Sequence, residues 1–201
     1  MLKSVPYLAA LLFSASLISL SAHADTQTPA ALAAALADPR RPAQQVSLDA
    51  ARKPAQLIAF ARLKRGDKVA DFMPGNAYFT RIMSDVVGNT GHVYAFLPAD
   101  AFMGPADVAA LNKRFFAALK PGGIYLVIDH VAEAGSGLRD TESLHRIDPK
   151  RLRQEIEAAG FVFDAQSNVL RNRSDDHKSS VFDGRVRGRT DQVVYRFLKP
   201  G

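Results

Sequence analysis

Val69-Ala-Asp-Phe-Met-Pro-Gly-Asn-Ala-Tyr-Phe-Thr80 is the stretch on which the fold turns. The apolar run Lys68 to Met73 closes at Pro74-Gly75, the pattern of a strand entering a tight turn. Ala77 to Val87 then carries Phe79, Ile82, Met83 and Val86 at helical spacing and stops at Gly88. An acid, Asp71, therefore stands at a strand end, a glycine, Gly75, sits in the turn, and unpaired backbone N–H groups open the next helix. Open parallel sheets bind ligands at the carboxyl ends of their strands. The dipole at a helix start favours an anionic group, a carboxylate as readily as a phosphate. The same residues also suit an ordinary strand-to-helix turn with no ligand.

Upstream, Thr28-Pro29 starts a helix through Leu36 that Asp38-Pro39 stops, which suggests an arm or lid more than a core element. Ser47 is a candidate N-cap for a helix through Leu63, with a kink or a later start at Pro54. Downstream, His92 to Leu97 reads as a second strand, and Pro105 opens a helix with Val108, Leu111, Phe115 and Leu119 on one side. Ile124 to Asp129 is a continuous apolar strand of the kind buried on both faces. A short helix is expected around Thr141 to His145, another from Asp148-Pro149 to Gly160, and final strands from Phe161 to about Leu170 and from Gln192 to Leu198. Strands alternating with helices imply an α/β, Rossmann-like fold. Its sheet is expected to be mostly parallel, with about five strands, and the closing pair antiparallel at an edge.

The chain has 201 residues, 47% hydrophobic and 23% charged, with no cysteine and a formal charge of +6. Zero cysteine excludes disulfides, thiolate zinc sites and cysteine nucleophiles together. Residues 1–24 read as a signal peptide: Lys3, an apolar Val5 to Leu20, and the small-x-small exit Ala22-His23-Ala24. The alternative is an uncleaved membrane anchor, since residues 4–22 carry no formal charge. Cleavage before Asp25 leaves 177 residues and no second apolar stretch able to span a bilayer. An exported chain without cysteine suits a bacterial periplasm. The mature chain divides into a helical arm, 25–63, and a main domain, 64–201.

With these segments in order, the chain resembles the class I S-adenosylmethionine-dependent methyltransferases. The resemblance rests on Val69-Ala-Asp71 through Ala77, on Leu119-Lys-Pro-Gly-Gly123 before a strand ending in Asp129, and on the terminal strand pair. It is closer to a family of exported predicted methyltransferases. That likeness rests on Asp38-Pro-Arg-Arg-Pro42, Ala51-Arg-Lys-Pro54, Ala70-Asp-Phe-Met-Pro-Gly75, Tyr78-Phe-Thr-Arg81, Gly135-Ser-Gly-Leu-Arg-Asp-Thr141 and Leu144-His-Arg-Ile-Asp148. It implies that Asp71 lies under the methionine end of S-adenosylmethionine, that Gly75 lets the main chain approach it, and that Pro74, Asn76 and Ala77 belong to the binding turn. Asp100 is the candidate for the ribose hydroxyls. Two departures stand out: Met73 and Ala77 replace glycines common in the superfamily, and only Ala99 to Gly104 remain where a strand–helix–strand unit of ~30 residues is expected. The main domain is thus expected to be shortened between residues 98 and 105.

His130, after the third strand, is a candidate general base, and equally a donor to a loop carbonyl. His145 is a second weak catalytic candidate, and Arg146 is a possible ion-pair partner of Asp148. The histidines lack the spacing of a metal site. His177 reads as a solvated loop residue. Arg171 to Arg189 holds six basic residues, with Asp175, Asp176 and Asp183 between them. It suits either a solvated connection or a site for anionic headgroups or an acidic substrate; export and the interleaved acids disfavour nucleic acid. The expected function is methyl transfer from S-adenosylmethionine to an acceptor that the sequence does not name: a small molecule, a lipid and a protein side chain all stay open. The alternative is a non-catalytic exported binding protein that retains the fold, and the oligomeric state stays open.

Overall fold

The computed structural model of the chain describes residues 27–97 and 105–201. The expected leader, Asp100 and the link Ala99 to Gly104 lie outside the described residues. No helix among the described residues is long and apolar enough to cross a membrane.

Helix α1, Gln27–Ala37, buries Leu32 and Ala35 against the first core, so it is a core element and not a lid. In place of one helix from Ser47 there are three short ones: α2, Ala43–Val46; α3, Asp49–Arg52; and α4, Pro54–Phe60, the last of which makes the expected later start at Pro54. Ser47 closes α2 and does not start a helix. Lys53 takes a left-handed conformation with φ 49° because Pro54 removes an N–H and disfavours helical geometry in the residue before it.

Strand β1, Lys68–Phe72, is followed by α5, Tyr78–Val87, and by β2, His92–Phe96. The two strands pair in parallel, Lys68 opposite His92 and Phe72 opposite Phe96. Gly91 is needed at the entry to β2, since a Cβ there would lie 2.5 Å from Val87 Cβ and 2.7 Å from the Asp67 carbonyl. Helix α6, Pro105–Ala118, leads to β3, Ile124–His130; α7, Pro149–Ala158, precedes β4, Val162–Ser167, and β5 is Gln192–Leu198. Residues 141–145 form turns and not the expected helix.

Five strands are present, but not as one mostly parallel sheet. β1 and β2 form one parallel pair, and β3, β5 and β4 form a separate antiparallel sheet in that order. β5 is therefore central in its sheet, not at an edge. The physical reason for the division is the connection after β2: the few residues between Phe96 and Pro105 are too short to supply a further paired strand and its crossover, which together take ~30 residues.

The hydrophobic core divides with the sheets. Leu32, Ala35, Ile58, Tyr78, Ile82, Val86 and Val87 form one cluster against Val69 and Val93; Leu152, Ile156, Phe161, Val193, Tyr195 and Phe197 form the other. Phe115 of α6 joins the halves, meeting Phe72 at 5.3 Å and Tyr125 at 5.4 Å between ring centroids. Arg196 on β5 also reaches across, donating from Nη1 to the Phe60 carbonyl at 2.6 Å with its guanidinium over the Phe60 ring. Alternation along β2 turns Val93 into the first core and leaves Tyr94 and Phe96 on the exposed face; Leu97, just past the strand, is exposed as well.

Candidate functional site

The turn between β1 and α5 is held in unusual backbone geometry. Met73, Gly75 and Ala77 all have positive φ, 58°, 55° and 62°. Glycine adopts this region freely, whereas Met73 and Ala77 each cost about 1 kcal/mol or more. The turn is secured by Met73 N donating to the Phe96 carbonyl at 2.9 Å and Ala77 N to the Pro74 carbonyl at 2.9 Å. Beneath it, Thr80 Oγ1 of α5 donates to Asp71 Oδ2 at 2.5 Å, joining the strand end to the first turn of the helix. A Cβ built on Gly75 meets nothing within 4 Å, so the space over the turn is open.

The N-terminal helices clasp this turn. Gln45, only 4% exposed, donates from Nε2 to the Asn76 carbonyl at 2.8 Å, while its Oε1 is buried without a partner. Arg41 grips Asp49 with two hydrogen bonds, 2.8 and 2.6 Å, and Tyr78 OH donates to the same carboxylate at 2.6 Å. The Arg52 guanidinium lies 4.5 Å from the Tyr78 ring centre, a cation–π contact at the start of α5. The Arg41 hydrogen bonds hold Asp49 below the usual carboxylate range against its partial burial. Burial, then the bond to Asp49, pushes the Tyr78 hydroxyl up, so it stays a neutral donor.

A second group of polar residues surrounds the end of β3. His130 Nδ1 lies 2.7 Å from Thr190 Oγ1. Burial, then the Arg146 charge, lowers the pKa of His130 and favours its neutral ring. Asp129 is pushed up to about 6 by burial, relieved only by the His130 N–H at 2.7 Å. His145 is exposed, with φ 55° and its ring against Phe182 at 4.7 Å. It lies near enough to His130 to act on it electrostatically, so the structure brings these two sequence candidates into one neighbourhood.

Arg146 does not pair with Asp148. It is fully buried and binds Asp175 through Nη1 and Nη2 at 2.7 and 3.0 Å, while Asp148 caps α7 by accepting from Lys150 N at 2.9 Å. His177 is not simply solvated, for its Nε2 lies 3.0 Å from Asp191 Oδ2, whose side chain is wholly buried. Among the described residues no group of three acidic or histidine side chains is arranged to hold a metal ion.

Asp71, Pro74, Gly75, Asn76 and Ala77 thus come together at the turn, and His130 with His145 at the end of β3. No hydrogen bond or ion pair among the described residues joins the two groups. Gln45, Asp49 and Thr80 are the turn residues that sequence reasoning missed. Gln45 and Asp49 meet partners about 30 positions away, so no local pattern marks them.

The sequence matches no family model and no curated protein. Its structure is similar to that of the [4+2]-cyclase SpnF, at 15% identity over 81% of this chain and 84% of that one, with a TM-score of 0.51. It is also similar to CrArsM, an arsenic(III) S-adenosylmethionine methyltransferase from Chlamydomonas reinhardtii, at 12% identity over 85% and 73%, with a TM-score of 0.50. At such identities the likeness speaks to the fold: the chain has a methyltransferase-like α/β architecture, with its sheet in two parts.

Proposed function

We propose that the β1–α5 turn binds S-adenosylmethionine and that the chain is a methyltransferase whose acceptor is not assigned. The observation that carries this is the turn itself: open space above Gly75, an acid at the end of β1, and a buried Gln45 Oε1 with no partner beside Asn76. These features fit a ligand with an amino-acid end, whose ammonium group needs acceptors and whose carboxylate suits a helix start. Asp71, Gly75, Asn76, Ala77 and Gln45 would hold that end, and Asp100 is proposed for the ribose hydroxyls. S-adenosylmethionine, when bound, supplies an activated methyl carbon. The chain's own share is to orient an acceptor, which can contribute most of the rate, and His130, with its neutral ring favoured, is suited to take up the acceptor's proton.

The division of the sheet fits an internally shortened member of the exported family, with the strand that would join β1 to β3 lost along with its crossover. That division, together with the side chain of Met73 exposed at the turn, favours a second reading, a non-catalytic protein that keeps the fold. Export to the periplasm with cleavage before Asp25 belongs to the same proposal, and N-terminal sequencing of secreted protein tests it.

Thermal unfolding of the full chain with S-adenosylmethionine or S-adenosylhomocysteine tests the site. Ligand at about 100 times its Kd stabilises a binder by ~2.7 kcal/mol, or roughly 5 to 10 °C for a chain of this size. A cooperative transition that neither ligand moves refutes the proposal. A shift without methyl transfer to any acceptor offered, lipid or small molecule, selects the second reading.

A further inference from the structure

The long connection from β4 to β5 is polar in sequence, yet it is fastened along its length. Arg146, with no exposed side-chain surface, donates to the Ser179 carbonyl at 2.7 Å as well as to Asp175. Asp191 receives the Asn172 N–H at 2.8 Å and lies against His177, while its own N–H donates to Asp175 at 2.7 Å. Val181 is buried and donates from its N–H to the Leu144 carbonyl at 3.2 Å. Thr190 closes the segment on His130. Such a loop presents its outward side chains from a fixed platform.

Those outward side chains are of two kinds. Of the three acids between Arg171 and Arg189, Asp175 is turned inward to Arg146, Asp183 pairs with Arg185 at 2.6 Å, and exposed Asp176 accepts from the Lys178 and Ser179 N–H groups. Arg173, Arg187 and Arg189 are exposed, and among the described residues none has a carboxylate at ion-pair distance. Asn172 donates to the Arg189 carbonyl, which brings Arg173 beside Arg189, and Arg189 Nη2 donates to the Arg185 carbonyl at 2.5 Å. Next to the buried Val181, Phe182 is 59% exposed.

We propose that this loop docks the protein on an anionic lipid bilayer, with Phe182 entering the interface and Arg173, Arg187 and Arg189 meeting headgroup phosphates. A compact soluble anion would make no use of an exposed apolar ring on the same loop as the arginines. A bilayer surface offers both a sheet of negative charge and an apolar layer beneath it. The proposal is independent of whether the β1–α5 turn binds a nucleoside.

The test is sedimentation of the full chain with vesicles of phosphatidylcholine alone or with phosphatidylglycerol added, in low and high salt. The leader adds the same background to every variant, so the readout is the ratio of partitioning between the two vesicle types. The chain is expected to prefer the anionic vesicles, with the preference falling as salt rises. Each arginine near the surface is worth about fivefold, so R173Q/R187Q/R189Q together should lose on the order of 100-fold. F182A should lose roughly five- to tenfold on anionic vesicles. Melting temperatures of the variants at the parent value confirm that the loop is intact. Equal partitioning to both vesicles, or a triple variant that binds like the parent, overturns the proposal. So does an F182A variant that binds like the parent while a single-stranded oligonucleotide competes fully with the vesicles, since the loop then reads charge alone.

Discussion

Replacing Arg146 by methionine probes what holds the β4–β5 connection. Both side chains of the Arg146–Asp175 pair have no exposed surface, and removing one leaves the other as an unpaired charge in the interior. Such a break costs about 3 to 5 kcal/mol. At roughly 2 to 4 °C per kcal/mol, R146M should melt about 6 to 20 °C below the parent at pH 7. Asp175 also reverses its acid response. In the parent, burial opposes ionisation, but the Arg146 hydrogen bonds and the Asp191 N–H prevail and hold the carboxyl below 3.8. Its contribution is therefore complete above pH 3.8 and is lost as the pH falls through the depressed value. Without Arg146, burial dominates and raises the Asp175 pKa, so R146M should regain stability relative to the parent between pH 7 and pH 4. The double variant R146M/D175L, which removes both charges of the pair, should be more stable at pH 7 than R146M. Circular dichroism melts at pH 4 and pH 7 give all three comparisons. A loss below about 1 kcal/mol for R146M, with no pH reversal and no recovery of stability in the double variant, would refute this account of the loop.

Four other outcomes are expected. D71A should abolish the ligand-induced thermal shift, and retention of the parent's shift would place the ligand elsewhere. Y78F, which removes the hydroxyl bonded to Asp49, should cost about 1.5 to 3 kcal/mol in urea unfolding, the range for a hydrogen bond to a charged acceptor. D129N should be neutral at pH 4 and stabilising above pH 6. With a folded pKa raised to about 6, Asp129 favours the folded state below 3.8, and this is lost as pH rises through 6, a difference of roughly 3 kcal/mol. Replacing exposed Leu97 with serine should lower aggregation without lowering the melting temperature, read by light scattering and calorimetry, because that side chain is 63% exposed in the chain itself.

Much of the local structure was legible from residues near one another. The run 68–73, the break at Pro74-Gly75 and the stripe of Ile82, Met83 and Val86 are short-range signals, and β1, the turn and α5 lie where they indicate. Pro54 was legible as a kink or a later helix start, and α4 does begin there; the left-handed Lys53 that separates it from α3 was not legible, because that conformation is set only in the folded chain. The helix expected at Thr141 to His145 failed for a related reason. Leu144 spends its carbonyl on Val181 and the Arg146 side chain is drawn to Asp175, so tertiary partners outcompete a weak local preference.

The candidate site divides in the same way. Asp71 and Gly75 could be named from a twelve-residue stretch because strand, turn and helix start are contiguous. Gln45 and Asp49 could not, since each side chain acquires its partner only when the N-terminal helices pack behind α5.

By itself the sequence determined the order of strands and helices, the strand-to-helix turn with its acid and glycine, and the shortness of the link after β2. These follow from periodicity, turn chemistry and chain length, which are properties of neighbouring residues. Only the tertiary structure decided that β5 inserts between β3 and β4, that the sheet and the core each divide in two, and that a charged loop is anchored by a buried ion pair. Strand pairing and burial of charge depend on groups brought together from distant positions, and the free energy of that meeting belongs to the assembled fold.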